Sequence, residues 1–246
     1  MTFIIATAVA FAVMIGALLQ RVSGTGLALV SAPLLTLLLG PTTGVLVANV
    51  CSVCGAALMF TRLRRDVEWL RYRALALASI VGVVPGSLLV ATVPEGWLAL
   101  IVGISVLAAL TATLITRVEA SKEYHRLPVL AAGFLSGLMS TTAGIAAPPV
   151  TIYAIYSRWL QQSFAATLQP FFFTVAALSL STKVSAGVGA QLDWRVGVYG
   201  ALGLLVGVMI GGVLAGRINP TQARIVAVTL AYLGAAATVV HALIIL

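Results

Sequence analysis

Residues 128–157 read PVLAAGFLSGLMSTTAGIAAPPVTIYAIYS. The stretch is apolar enough for a bilayer, yet Ser140-Thr141-Thr142-Ala143-Gly144 and the pair Pro148-Pro149 interrupt it in the middle. Its arms, 128–139 and 146–157, hold about 12 residues each and as helices reach ~18 Å, short of the ~30 Å hydrocarbon core. The spacing therefore predicts a broken helical hairpin that turns back inside the membrane. A second stretch, 3–39, is interrupted in the same way by Ser23-Gly24-Thr25-Gly26 and then Pro33. Its first arm, 3–20, is long enough to cross outright, which leaves the helix count between eight and ten.

The rest of the chain fits a polytopic all-α membrane protein. Of 246 residues, 61% are hydrophobic and 8% charged, against roughly a quarter charged in a soluble domain. The runs 44–60, 74–93, 97–116, 163–182, 196–216 and 225–246 are apolar, and most reach the ~20 residues that one crossing needs. A formal charge of +8 could suggest nucleic acid. The basic residues, however, sit in short strips between the apolar runs, so the expected partner is the lipid bilayer and not nucleic acid. The start Met-Thr-Phe-Ile-Ile lacks a basic n-region and is read as mature protein. Every loop is short, which leaves no room outside the membrane for a catalytic fold, and no enzyme, catalytic residue or cofactor is expected.

The chain also resembles itself. An offset of 125 places Glu68-Trp69 on Asp193-Trp194, Gly82 on Gly207, Gly86 on Gly211 and Leu89 on Leu214. Gly16 and the first break correspond to Gly133 and the second. The reading is two transmembrane repeats, 1–122 and 123–246, each opened by a broken hairpin and integrated in one membrane domain. Equivalent loops differ in basic content: 62–73 carries five arginines where 183–195 carries Lys183 and Arg195. Because cytoplasmic loops are enriched in Lys and Arg, this favours an inverted over a parallel repeat. The glycines four apart, Gly82/Gly86 and Gly207/Gly211, are read as close helix packing.

Matched interruptions in two repeats are the best sequence pointer to a transporter's binding site. Unwound backbone at membrane depth must be buried in protein or line a watery cavity. A helix restarting at Gly26-Leu27 or Gly144-Ile145 aims free N–H groups and its positive dipole end at the break, which suits an anion. The candidate substrate-binding residues are Arg21, Ser23, Gly24, Thr25, Gly26, Asn49, Ser140, Thr141, Thr142, Gly144 and Gln169. Here the hydroxyls add donors, and Asn49 and Gln169 close the site from the next helix of each half. Each hydroxyl has the alternative of capping or bridging helices. Lys183, after Thr182 at a helix end, is read as marking the membrane interface, with facing the transport pathway as the alternative.

All six acidic residues, Asp66, Glu68, Glu95, Glu119, Glu123 and Asp193, fall in loops or at helix ends, which weighs against a carboxylate proton relay. An anion leaving a cell that is negative inside gains ~2.3 kcal/mol per charge per 100 mV, so export can proceed without a coupling ion, with Na⁺ held by backbone oxygens at a break as the alternative. Cys51 and Cys54 form a Cys-x-x-Cys pair within an apolar run and are read as packing. No metal site is expected, since His125 and His241 lie far off in sequence.

Gly24-Thr25-Gly26 leading to Pro33, the helix 44–60, the basic loop ending in Asp66-Val67-Glu68-Trp69, and Gly82/Gly86 together resemble the TauE/SafE family of sulfite exporters. The second half is similar to that family's second repeat in Gly133, Gly137, Thr141-Thr142-Ala143-Gly144, Pro148 and Phe164 to Gln169. The resemblance covers nearly the whole chain. It implies a bacterial inner-membrane permease for sulfite or an organosulfonate, bound mid-membrane and moved by alternating access. The first break departs from the family, with Ser23-Gly24-Thr25-Gly26 where a run of three glycines is common. Alternatives are a carrier of another small solute and a membrane-embedded thiol relay on Cys51 and Cys54. A homodimer is compatible with a carrier of this size, although no surface helix announces an interface.

Overall fold

Long apolar runs hydrogen-bond their own backbone as helices because no water is present in a bilayer to do so. The computed structural model describes residues 3–23, 27–115, 126–185, 187, 194–214 and 217–246. Among these there are ten α-helices and no strand: α1 (Phe3–Ser23), α2 (Leu27–Leu39), α3 (Pro41–Leu63), α4 (Trp69–Thr92), α5 (Glu95–Ile115), α6 (Arg126–Ala143), α7 (Ala147–Tyr156), α8 (Gln161–Ser185), α9 (Trp194–Leu214) and α10 (Pro220–Ile245). A 3₁₀ turn, Arg64–Asp66, joins α3 to α4. Seven helices are long and apolar enough to cross a membrane, α1 among them. The protein is a multi-pass membrane protein.

Both interrupted stretches form helix pairs, with arms of unequal length. The break in 128–157 falls later than the sequence spacing suggests: α6 runs for 18 residues, ~27 Å at 1.5 Å per residue, and α7 for 10. The helix continues through Ser140, Thr141 and Thr142 because two of these hydroxyls bond back to their own helix. Thr141 Oγ1 donates to Gly137 O and Thr142 Oγ1 to Leu138 O, each at 2.9 Å. The chain leaves the helix only at Gly144, whose φ of 73° is open to glycine and costly for other residues. Its N–H still donates to Ser140 O at 3.1 Å, closing α6 with a left-handed cap. In the first pair α1 likewise carries on through Arg21 to Ser23, and α2 returns over 13 residues.

Contacts show where each pair enters. α6 runs alongside and parallel to α4: Gly133 lies against Leu75 and Gly137 against Ser79, while Gly82 lies against Phe134 and Gly86 against Leu138 and Thr141. α6 therefore starts at the same face as α4. The segment after α7 comes back to that face, where Trp159 Nε1 donates to Glu68 Oε1 at 2.6 Å and the Arg71 guanidinium stacks 4.5 Å from the Trp159 ring centre. Arg62, Arg64, Arg65, Arg73, Arg126 and Arg158 belong to this arginine-rich face by their places in the same elements.

The α1–α2 pair enters from the other side. α1 runs parallel to α9, with Gly203 against Ala10, Gly207 against Met14 and Gly211 against Leu18 and Arg21. The Phe3 ring meets Tyr199 edge-on at 6.5 Å. α2 returns to the same side, where Thr42 at the start of α3 donates to Glu95 at the start of α5 across 3.3 Å. The glycines spaced four apart thus seat α6 on α4 and α1 on α9, the close packing that their spacing predicts.

Candidate functional site

At the centre, α3 and α8 cross beside the tip of α6, and their polar side chains meet there. Asn49 on α3 is fully buried. Its Nδ2 donates to Ser179 Oγ at 2.8 Å and to Ser140 O at 3.3 Å, and its Oδ1 accepts from Ser140 Oγ at 3.4 Å. Ser179 Oγ donates in turn to Ser140 O at 3.3 Å. Lys183, one turn along α8, donates to Ser179 Oγ at 3.0 Å and to Thr141 O at 2.7 Å. The sequence places this lysine at the interface, but the structure turns its side chain inward, 2% exposed. The reason is local: the last carbonyls of α6 lack helix partners, and an ammonium satisfies one and complements the negative end of the dipole.

A cavity of about 30 Å³ adjoins this cluster, room for one or two water molecules. Gln20 of α1, Leu27, Ala28 and Leu29 at the start of α2, and Asn49 and Ser52 of α3 face it. Ser140, Gly144, Ala146 and Ala147 close it from the second hairpin, and Phe172, Val175 and Ala176 from α8. Ser52 Oγ is buried with no partner among the described residues, a donor left over beside the cavity. The two helix starts differ as anion sites. The N–H groups of the first turn of α2 have no partner within the helix, and Leu27, Ala28 and Leu29 of that turn face the cavity. α7 begins Ala147-Pro148-Pro149, and proline has no N–H to offer. The expected pair of helix N-termini is therefore reduced to one good donor end, that of α2.

The candidate residues fall into three groups. Asn49, Ser140 and Gly144 come together on the cavity. Thr141 and Thr142 are buried nearby, with hydroxyls turned back onto α6 and not onto the break. Arg21 packs its Cβ and Cγ on Gly211, and its Nε is buried with no partner among the described residues. Gln169, 2% exposed, donates to Ala165 O of its own helix at 3.0 Å, and its Oε1 has no partner among the described residues. Neither Arg21 nor Gln169 faces the cavity in this arrangement. Gly24, Thr25, Gly26 and the Ser23 side chain lie outside the described residues. Gln20, Ser52 and Ser179 are absent from the sequence-based candidates, and Lys183 enters them only as the alternative to an interfacial residue. Their signal is polar residues one helical turn apart on one face, Ser179 with Lys183 and Asn49 with Ser52.

A larger apolar cavity of about 380 Å³ lies between α5, α7 and α10 and is lined by Leu110, Leu114, Ile225 and Val228, with Thr113, Thr151 and Tyr232. Leu29 and Ala147 line both cavities, so these two side chains form the wall between them. Of the cysteine pair, Cys51 is buried and Cys54 exposed, and no group of metal-ligating side chains occurs among the described residues.

No curated protein and no solved structure is matched by this chain. A match to a described family does exist, and it takes in the central polar cluster and all or most of each of the seven long helices. Over residues 8–237, nearly its whole length, the chain belongs to the family described as Sulfite exporter TauE/SafE.

Proposed function

We propose that this protein is a permease for a small sulfur-containing anion, sulfite or an organosulfonate, held at the central cavity and moved by alternating access. The observation that carries this reading is the donor set. The first turn of α2, whose N–H groups have no partner within the helix, the Asn49 amide and the Ser52 hydroxyl, without a partner among the described residues, border one small cavity. Asp66, Glu68 and Glu95, the acidic residues described, sit at helix ends or in the 3₁₀ turn, away from that cavity. Neutral donors without competing carboxylates favour an anion. Family membership agrees with transport and supplies the sulfur chemistry.

Residues 1–122 and 123–246 are inverted repeats on this reading. Support comes from the two hairpins entering from opposite sides, each seated on a glycine-spaced helix of the other half. The arginine-rich face is cytoplasmic by the bias of basic loops, and the membrane is a bacterial inner membrane. The cavity is closed down to one or two waters, so the anion enters when the hairpin tips shift. The apolar chamber behind Leu29 and Ala147 is the approach from the arginine-rich side. Gly24, Thr25 and Gly26 complete the site from the first break.

Labelled sulfite uptake into proteoliposomes tests this proposal, with unlabelled sulfite, methanesulfonate and a neutral sugar as competitors. Competition by the two sulfur anions and none by the sugar is expected. Uptake no faster than in protein-free liposomes, from protein that elutes as a single folded species, overturns the substrate assignment.

A further inference from the structure

We propose that Lys183 supplies the positive charge that the transported anion meets, and that the α6 C-terminus holds this ammonium while the site is empty. The inference rests on the anion-permease reading above and adds a cationic side chain to its donor set.

The placement of the side chain is the first argument. Lys183 lies in the last turn of α8, where a lysine stem ordinarily extends outward to keep its ammonium in water. Here it folds back into the protein and is 2% exposed. A buried charge is retained where something compensates it. No carboxylate does so among the described residues. Glu68 pairs with Arg71 and bonds Trp159 at the arginine-rich face, and Glu95 accepts from Thr42 on the other side. The ammonium touches two neutral oxygens, Thr141 O and Ser179 Oγ. It has three N–H donors, so one is not used by these contacts.

Connection to the cavity is the second argument. Ser179 Oγ accepts from both Lys183 and Asn49, and Asn49 faces the cavity. One hydroxyl therefore separates the charge from the residue that meets the substrate. Thr141 O, the other partner, belongs to the tip of the hairpin that must move to admit an anion. An anion beside Asn49 offers the ammonium a full negative charge in place of a carbonyl dipole. Taking that partner frees the α6 tip, which links occupancy of the cavity to movement of the hairpin.

A role confined to capping α6 makes a different prediction, so binding and stability are measured separately. Affinities for sulfite, methanesulfonate and sulfate are measured by calorimetry on detergent-purified wild type, Lys183→Gln and Lys183→Arg. Loss of at least about tenfold in affinity in the glutamine variant, with recovery in the arginine variant, is the expected result. A folded glutamine variant that binds the anion as wild type does, while melting at lower temperature, reduces Lys183 to a helix cap and overturns the inference. Should the glutamine variant fail to fold, Lys122→Arg decides, because Lys122 and Lys183 are the two lysines of the sequence. With isotope-labelled lysine that variant gives one side-chain ammonium signal, which shifts on anion titration if Lys183 meets the anion and stays still if it does not. Wild type that binds none of the three anions sinks the permease reading first, and this inference with it.

Discussion

The Asn49 amide and the Lys183 ammonium share one acceptor, the hydroxyl of Ser179, at 2.8 and 3.0 Å. That hydroxyl also donates to Ser140 O, so its two lone pairs and its proton are all used. Three helices, α3, α6 and α8, are thereby tied at one point beside the cavity. Replacing Asn49 by Ala leaves the Ser140 and Ser179 groups short of a partner. The expected cost is about 1–3 kcal/mol, read as a lower melting temperature, together with loss of anion flux. Unchanged flux in Asn49→Ala would remove the residue from the site.

The turn at Gly144 makes a second prediction. Its φ of 73° and the neighbouring Ala32 Cβ at 3.3 Å and Ala48 Cβ at 3.4 Å leave a side chain little room. Gly144→Ala is expected to destabilise by about 1–2 kcal/mol and to slow transport. Gly197→Ala is the control: nothing lies within 4 Å of a Cβ there, and alanine is favoured over glycine in a helix. Thermal unfolding of both variants checks the contrast.

Much of this arrangement is legible in the sequence, and the exceptions have physical causes. The long helices follow from apolar runs bounded by charges, and Gly82/Gly86 and Gly207/Gly211 mark α4 and α9 as closely packed, while their partners α6 and α1 come from the structure. The sequence sets the second break a few residues too early because Ser140, Thr141 and Thr142 look like unwound chain. Buried hydroxyls satisfy themselves within a helix by bonding one turn back, and composition does not reveal that choice. The inward turn of Lys183 is hidden from the sequence for a related reason. Position near a helix end says where a lysine starts, while the direction of its stem depends on the unpaired carbonyls of α6, a helix some 40 residues earlier. Asn49 was legible because an amide inside an apolar run needs partners.

Cys51 and Cys54 occupy different surroundings, one buried and one exposed. The buried thiol packs 3.5 Å from the position a Cβ would take at Gly200. The double variant Cys51→Ala, Cys54→Ala is expected to fold and to transport the anion at close to the wild-type rate. Abolished transport from folded double variant would favour a thiol relay instead.

Leu29 and Ala147 divide the small cavity from the apolar chamber. Shortening Leu29 to Ala removes the bulkier half of that wall. Faster anion flux with weaker discrimination among sulfite, methanesulfonate and chloride is expected in liposome assays. Flux and selectivity equal to wild type would place the approach to the site elsewhere.

The most direct test steps the membrane potential across proteoliposomes and records sulfite flux through wild type and Asn49→Ala. A carried anion moves with a driving force of ~2.3 kcal/mol per charge per 100 mV, so flux through wild type should rise steeply with potential and vanish in the variant. Sulfite flux that ignores the potential, or that survives intact in Asn49→Ala, would contradict an anion permease with its site at the hairpin breaks.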